Sequence, residues 1–149
     1  MGDDVSTALV ATLLLAAAPA PPPELEPARD ALRRHDYPRA AALLQALADG
    51  GNPEAGYQLG LLYLPRSNDV GLPPDPPRAC RLLLQAANGA HAKAAYSLAT
   101  QVETGVCKDT GRGAAEWAAI AVAAGHAGAH GFQMKVICHL QSEYKIYRL

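Results

Sequence analysis

The chain has 149 residues, the length of one domain, and its 13 Lys and Arg against 14 Asp and Glu leave a formal net charge of -1. No overall field then favours nucleic acid or an anionic membrane surface. Hydrophobic residues make up 50% of the chain but aromatics only 5%; much of the apolar content is alanine, which suits close-packed helices and argues against a β-sandwich or barrel.

The first segment, 1–23, reads as a leader. Ala8 to Ala20 is a short apolar run ending in Ala18-Pro19-Ala20, similar to the hydrophobic region and cleavage site of a secretory signal. It is too short to span a bilayer comfortably. Asp3 and Asp4 stand where positive charge is the rule, and prolines follow every cleavage point, so the other reading is an apolar tail followed by a stiff linker, Pro19 to Pro23. A cleaved leader implies a periplasmic or secreted protein, an uncleaved one a cytoplasmic protein.

From Glu24 onward, helical spacing takes over. Helices are expected at about 24–35, 38–49, 53–64, 76–88, 92–103, 112–124 and 127–140. Ala40, Leu43, Leu44 and Leu47 follow i, i+3, i+4, i+7 spacing, as do Ala79, Leu82, Leu83 and Ala86, each set marking one face of an amphipathic helix. Pro38, Pro53 and Pro77 suit first turns, where a missing N–H costs nothing. Asn52 and Asp75 are candidate caps just before them. Gly56, Gly60, Ala95 and Ala99 are small residues at inward positions, which lets helix backbones approach closely.

The segments repeat. Asp36, Arg39, Ala40 and Leu43 return as Asp75, Arg78, Ala79 and Leu82, an offset of 39; Ala55, Tyr57, Leu59 and Gly60 return at the same offset as Ala94, Tyr96, Leu98 and Ala99. A weaker third copy follows at 35, pairing His91 with His126 and Leu82 with Trp117. Units of this length are typical of helix-turn-helix solenoids. The expected organisation is an array over 24–140, with repeats at about 36–75, 75–110 and 110–131, the last partial. Length varies in a loop, Leu64 to Pro77 in one copy and Glu103 to Gly111 in the next. After Ala129 the register fails: Gln133 stands where Leu98 predicts a leucine, and Phe132, Met134 and Val136 do not restore it. The end reads as a capping helix with a divergent outer face or as a truncated or spliced terminus, with 141–149 as a tail or as the end of that capping helix.

These residues resemble Sel1-like repeats, a family related to tetratricopeptide repeats. The resemblance rests on Ala55-Gly-Tyr57-Gln-Leu59-Gly60, Gly105-Val106-Cys-Lys-Asp109, Ala114-Ala-Glu-Trp117 and Ala123-Ala124-Gly125-His126-Ala127-Gly-Ala129, and it covers roughly 36–131. It implies an all-α fold, a short α/α solenoid wound as a right-handed superhelix, and scaffolding in place of chemistry. The loop before Asp75 departs from the pattern through extra residues and prolines. A secreted, cysteine-rich branch of the family binds or hydrolyses β-lactam compounds and carries a cysteine pair in each repeat. Cys80, Cys107 and Cys138 do not follow that pattern.

Nor do those cysteines form a C-x-x-C or other metal-like spacing, so neither a disulfide framework nor a zinc cluster is indicated. The odd count leaves at least one thiol free or paired between chains. Cys107 beside Lys108 is read as an incidental loop cysteine, with a thiol activated by the cation as the alternative. His91 and His126 share one repeat position at the turn into a helix, where an imidazole can bond exposed backbone groups. His126 and His130 stand four apart, with Cys138 or His139 two turns on, but no H-E-x-x-H supports a metal site. Glu103, Glu116, Asp109 and Asp75 follow turns and caps, and no catalytic triad order, phosphate loop or dinucleotide fingerprint is present.

The expected function is therefore a non-enzymatic scaffold or adaptor, without cofactor or metal, that binds a partner protein or peptide on the concave face of the array. Candidate contacts are Tyr57, Gln58, Leu61, Tyr63, Ser97 and Gln101, with Arg66, Asn68 and Asp69 from the long loop; Tyr57 and Tyr96, at equivalent places, are better suited to packing than to anchoring a partner. No nucleic acid and no stable transmembrane anchor are expected. Self-association through the poorly matched array end is a further expectation. The alternative function is a secreted or envelope small-molecule binder or hydrolase of the cysteine-rich type.

Overall fold

The structure, a computed structural model, describes residues 23–65 and 71–146. The leader, the loop residues 66–70 and the last three residues lie outside it. Among the described residues, a 3-10 turn, Pro23–Leu25, leads into seven α-helices: α1 (Glu26–Arg33), α2 (Tyr37–Asp49), α3 (Pro53–Tyr63), α4 (Pro76–Asn88), α5 (Ala92–Glu103), α6 (Ala114–Ala123) and α7 (Ala129–Ile146).

Helices α2 to α5 start by one local rule. A polar side chain just outside the helix accepts the backbone N–H three residues on, which satisfies one of the donors that a first turn leaves orphaned. Asp36 takes Arg39 N (3.2 Å), Asn52 takes Ala55 N (3.1 Å) and Asp75 takes Arg78 N (3.0 Å). His91 does the same through its ring, Nδ1 accepting from Ala94 N at 3.1 Å. Helix α6 uses the reverse arrangement, Glu116 Oε2 accepting from Gly113 N at 3.1 Å.

Helix ends are equally regular. At the close of α1, α2, α4 and α6 one residue turns left-handed: His35 (φ 61), Gly51 (φ 87), Ala90 (φ 60) and Gly125 (φ 91). Around it run the paired hydrogen bonds of a Schellman motif, for example Gly51 N to Ala48 O (2.9 Å) and Asn52 N to Leu47 O (3.0 Å), repeated by Ala90 N to Ala87 O (3.1 Å) and His91 N to Ala86 O (3.2 Å). In three of these junctions the residue that completes the stop also caps the next helix: Asp36, Asn52 and His91.

Each helix packs chiefly on its neighbours in sequence, α1 on α2 through α6 on α7. The result is an all-α, solenoid-like helical array. Helix α4 lies at its centre and is buried on two sides. Its Ala79 and Leu82 join a core with Leu44, Leu59 and Tyr63, while Leu83, Ala86 and Ala87 join a second core with Leu98, Trp117 and Ala121. Small residues set the α3–α4 spacing: a methyl group at Gly60 would stand 3.0 Å from Leu83 Cγ and 3.3 Å from Ala79 O. Gly56 is less tightly held, with Ala86 Cβ at 3.7 Å.

The last helix has a register of its own. Phe132 packs edge-on against Tyr96 (centroids 5.6 Å apart) and Val136 is buried with Ala129, so α7 keeps an apolar stripe of its own. A helix packed mainly on the one before it needs only that narrow stripe. Position 133 is therefore free to be Gln, where the interior repeat has Leu98.

Candidate functional site

The half-exposed side of α3 and α5 carries most of the candidate contact residues. Tyr57, Gln58 and Leu61 on α3, and Ser97 and Gln101 on α5, are all partly buried. Tyr57 lies against the His91 ring, centroids 4.8 Å apart and tilted by 31°. Gln58 Nε2 donates to Glu54 Oε1, while Gln58 Oε1 is buried without a partner. Gln101 lends its carbonyl to Cys107 N at 3.0 Å. Tyr63 is placed differently: it belongs to the first core, with the Arg78 guanidinium 4.4 Å above its ring. Arg78 also donates from Nη2 to Gln45 Oε1 at 2.6 Å, tying α4 to α2. Arg66, Asn68 and Asp69 lie outside the described residues.

Behind Tyr57, Glu54 and His91 join α3 to the start of α5. His91 Nδ1 accepts from Ala94, which assigns the ring proton to Nε2, and that Nε2–H donates to Glu54 Oε2 at 2.7 Å. Burial pushes the Glu54 carboxyl up, but the hydrogen bonds from Gln58 and His91, with the Lys93 charge nearby, outweigh it, leaving the pKa below its ordinary value. The next repeat lacks this arrangement. Lys93 stands where Glu54 does, and His126 stacks flat on Tyr96 (4.5 Å, 13°) with Nδ1 buried and unpartnered. Of the two histidines expected to bond backbone at a helix start, only His91 does so through its ring.

The cysteines correct the sequence reading. Cys80, in the second turn of α4, is disulfide-bonded to Cys107 in the α5–α6 connection, with Cα atoms 5.6 Å apart and a sequence separation of 27. Cys107 is 2% exposed, so it is not an incidental loop residue. Cys138 is a free, exposed thiol. The bond escaped a search for clustered cysteines because folding of the helical hairpin, not local spacing, brings the pair together. The available signal was that both fall within one repeat unit.

Beside this bond lies an open cavity of about 580 Å³. Pro77, Leu84 and Val106 supply apolar wall, Cys80 is part of the lining and Cys107 is not. Arg81 and Lys108, each the chain neighbour of one bonded cysteine, stand on the same wall with Asp109. From sequence, Lys108 entered only as the neighbour of Cys107 and Asp109 only as a turn carboxylate, and Arg81 not at all. Thr110, also on the wall, accepts from Trp117 Nε1 at 3.1 Å and donates to Arg112 O at 2.9 Å, which fixes the connection over the buried indole.

Among the described residues, no group of three or more His, Cys, Asp or Glu side chains is placed to hold a metal ion, and no helix is long and apolar enough to cross a membrane. The chain matches no family model, no curated protein and no solved structure.

Proposed function

We propose that the chain is a protein-interaction scaffold of the Sel1-like repeat type, a right-handed array that holds a partner protein or peptide and performs no chemistry on it. The supporting observation is the open, consecutive packing of α1 to α7. An array built this way offers long half-buried helix faces instead of one enclosed site. Tyr57, Gln58, Leu61, Ser97 and Gln101 form the proposed contact face, with Tyr63 supporting it from the core; the proposed loop contacts Arg66, Asn68 and Asp69 lie outside the described residues. Residues exposed at the far end, Met134 among them at 61%, are the proposed surface for self-association.

Export to the periplasm or beyond is part of this reading. It rests on the apolar run from Ala8 to Ala20 and on the Cys80–Cys107 bond, since disulfides persist in oxidising compartments. The same bond, with the cavity beside it, favours one second reading: a secreted small-molecule binder or hydrolase of the cysteine-rich Sel1-like type.

Crosslinking capture with the full chain from its source extract tests the scaffold, in parallel with Ser97→Arg/Gln101→Arg, which places two bulky cations on the α5 side of the face. One protein captured by the parent chain and lost with the helical variant supports the reading. Equal capture by both overturns the assigned face, and no captured protein at all favours the small-molecule reading.

A further inference from the structure

The disulfide is asymmetric in its access. Cys107 is buried at 2% exposure, with its backbone N–H held by Gln101 O. Cys80 is partly exposed and lines the cavity of about 580 Å³. That space is ample for a tripeptide-sized thiol. Two cations, Arg81 and Lys108, face it against the single carboxylate of Asp109, and among the described residues neither cation makes an ion pair. A disulfide is cleaved by a thiolate, at a rate set by access to one sulfur and by the charge around it.

We propose that this cavity is a thiol–disulfide exchange site that admits a small anionic thiol, of the glutathione type, to Cys80. The cations draw in the carboxylates and the thiolate of such a molecule, and the apolar wall of Pro77, Leu84 and Val106 seats its backbone. The thiolate sulfur bonds to Cys80 Sγ, the Cys80–Cys107 bond breaks, and its electron pair leaves on Cys107 Sγ, which takes a proton from solvent. A second thiolate then attacks the incoming sulfur of the mixed disulfide, whose bond to Cys80 Sγ breaks, and the electron pair leaves on Cys80 Sγ, which also takes a proton from solvent. Two molecules of thiol are oxidised to one low-molecular-weight disulfide, and the protein disulfide is reduced to two thiols. The α5–α6 connection is thereby released from α4. The chain is the substrate of this exchange, so the proposal stands apart from the scaffold reading.

The test uses the full chain carrying Cys138→Ser, which removes the free thiol. The oxidised protein is treated anaerobically with reduced glutathione or with cysteamine, a cationic thiol, quenched with iodoacetamide and mapped by mass spectrometry. The expected early product is glutathione on Cys80 with Cys107 alkylated. The ratio of glutathione to cysteamine rates should be on the order of five- to tenfold higher than in Arg81→Glu/Lys108→Glu, because that comparison cancels intrinsic thiol reactivity and leaves the charge effect; 0.5 M NaCl should shrink the difference. Both substituted residues are exposed, and Arg81→Gln/Lys108→Gln should fall between the two. Free Cys80 and Cys107 thiols in the protein as isolated under air, an adduct on Cys107, no adduct at either cysteine, or rate ratios agreeing within twofold would each overturn the proposal.

Discussion

Glu54 and His91, 37 positions apart, meet at 2.7 Å, and the same imidazole that donates to the carboxylate accepts the backbone N–H of Ala94. One ring thus joins α3 to α5 and caps α5. Both roles are filled at once by the neutral tautomer with its proton on Nε2. A proton added at Nδ1 removes the acceptor that Ala94 needs.

The Glu54 carboxylate has its pKa lowered in the fold, so its contribution to stability is fully present above about pH 4.5, its ordinary value, and is lost as pH falls through the lower folded value. Glu54→Gln should cost about 1 kcal/mol at pH 7, a charge-assisted hydrogen bond discounted for partial exposure. The gap between variant and parent should narrow toward zero in urea melts run at progressively lower pH below 4.5. A gap that widens on acidification would contradict this account.

Ala90 and Gly51 occupy equivalent left-handed positions, φ 60 and φ 87, and only one of them is glycine. Ala90→Gly should raise stability by about 0.5–1 kcal/mol, the relief of the Cβ penalty less the extra freedom of the unfolded chain. Gly51→Ala should lower it by roughly 1 kcal/mol. Denaturant midpoints that move in the same direction for both would refute the pairing.

At the α3–α4 contact, Gly56→Ala and Gly60→Ala should diverge. Alanine is favoured over glycine in a helix by up to about 1 kcal/mol, and the 3.7 Å clearance at Gly56 allows that gain to appear. At Gly60 the added methyl meets Leu83 at 3.0 Å and a backbone oxygen at 3.3 Å. There a net loss of about 1–2 kcal/mol is expected, because the helices must separate. Thermal melts of the two variants distinguish these outcomes.

Removing the Cys80–Cys107 bond, which closes a loop spanning 27 positions, should cost roughly 3 kcal/mol on the chain-entropy estimate. Cys80→Ala/Cys107→Ala is the variant to measure, by guanidinium unfolding in the Cys138→Ser background. A loss below about 1 kcal/mol would mean that the unfolded chain already holds these segments close together.

Helix positions were legible because their punctuation is chemical and local. Asn52 before Pro53, and Asp75 before Pro77, announce starts through rules that need no partner helix. What was not legible depends on contacts made at a distance. The Cys80–Cys107 pair forms only when the α5–α6 connection folds back on α4. The apolar stripe of α7 looked out of register because an interior repeat was the template for a helix packed mainly on α6. His126 occupies the repeat position of His91, yet α7 begins only at Ala129, and the ring turns onto Tyr96 instead of capping. On the proposed face, Tyr63 shows that an aromatic next to candidate contacts can belong to the core.

Asp36, Asn52 and His91 each finish one helix and begin another, so these three-residue junctions have no slack. A single inserted residue would break the stop or the cap and rotate everything downstream relative to everything upstream. Repeats can therefore be lengthened, exchanged or grafted only through the α3–α4 and α5–α6 connections, where segments of unequal length are already spliced in. In this chain the short turn is the fixed joint, and the unit of modular exchange is the block of helices it holds together, α1 to α3 or α4 with α5, cut in the longer loops.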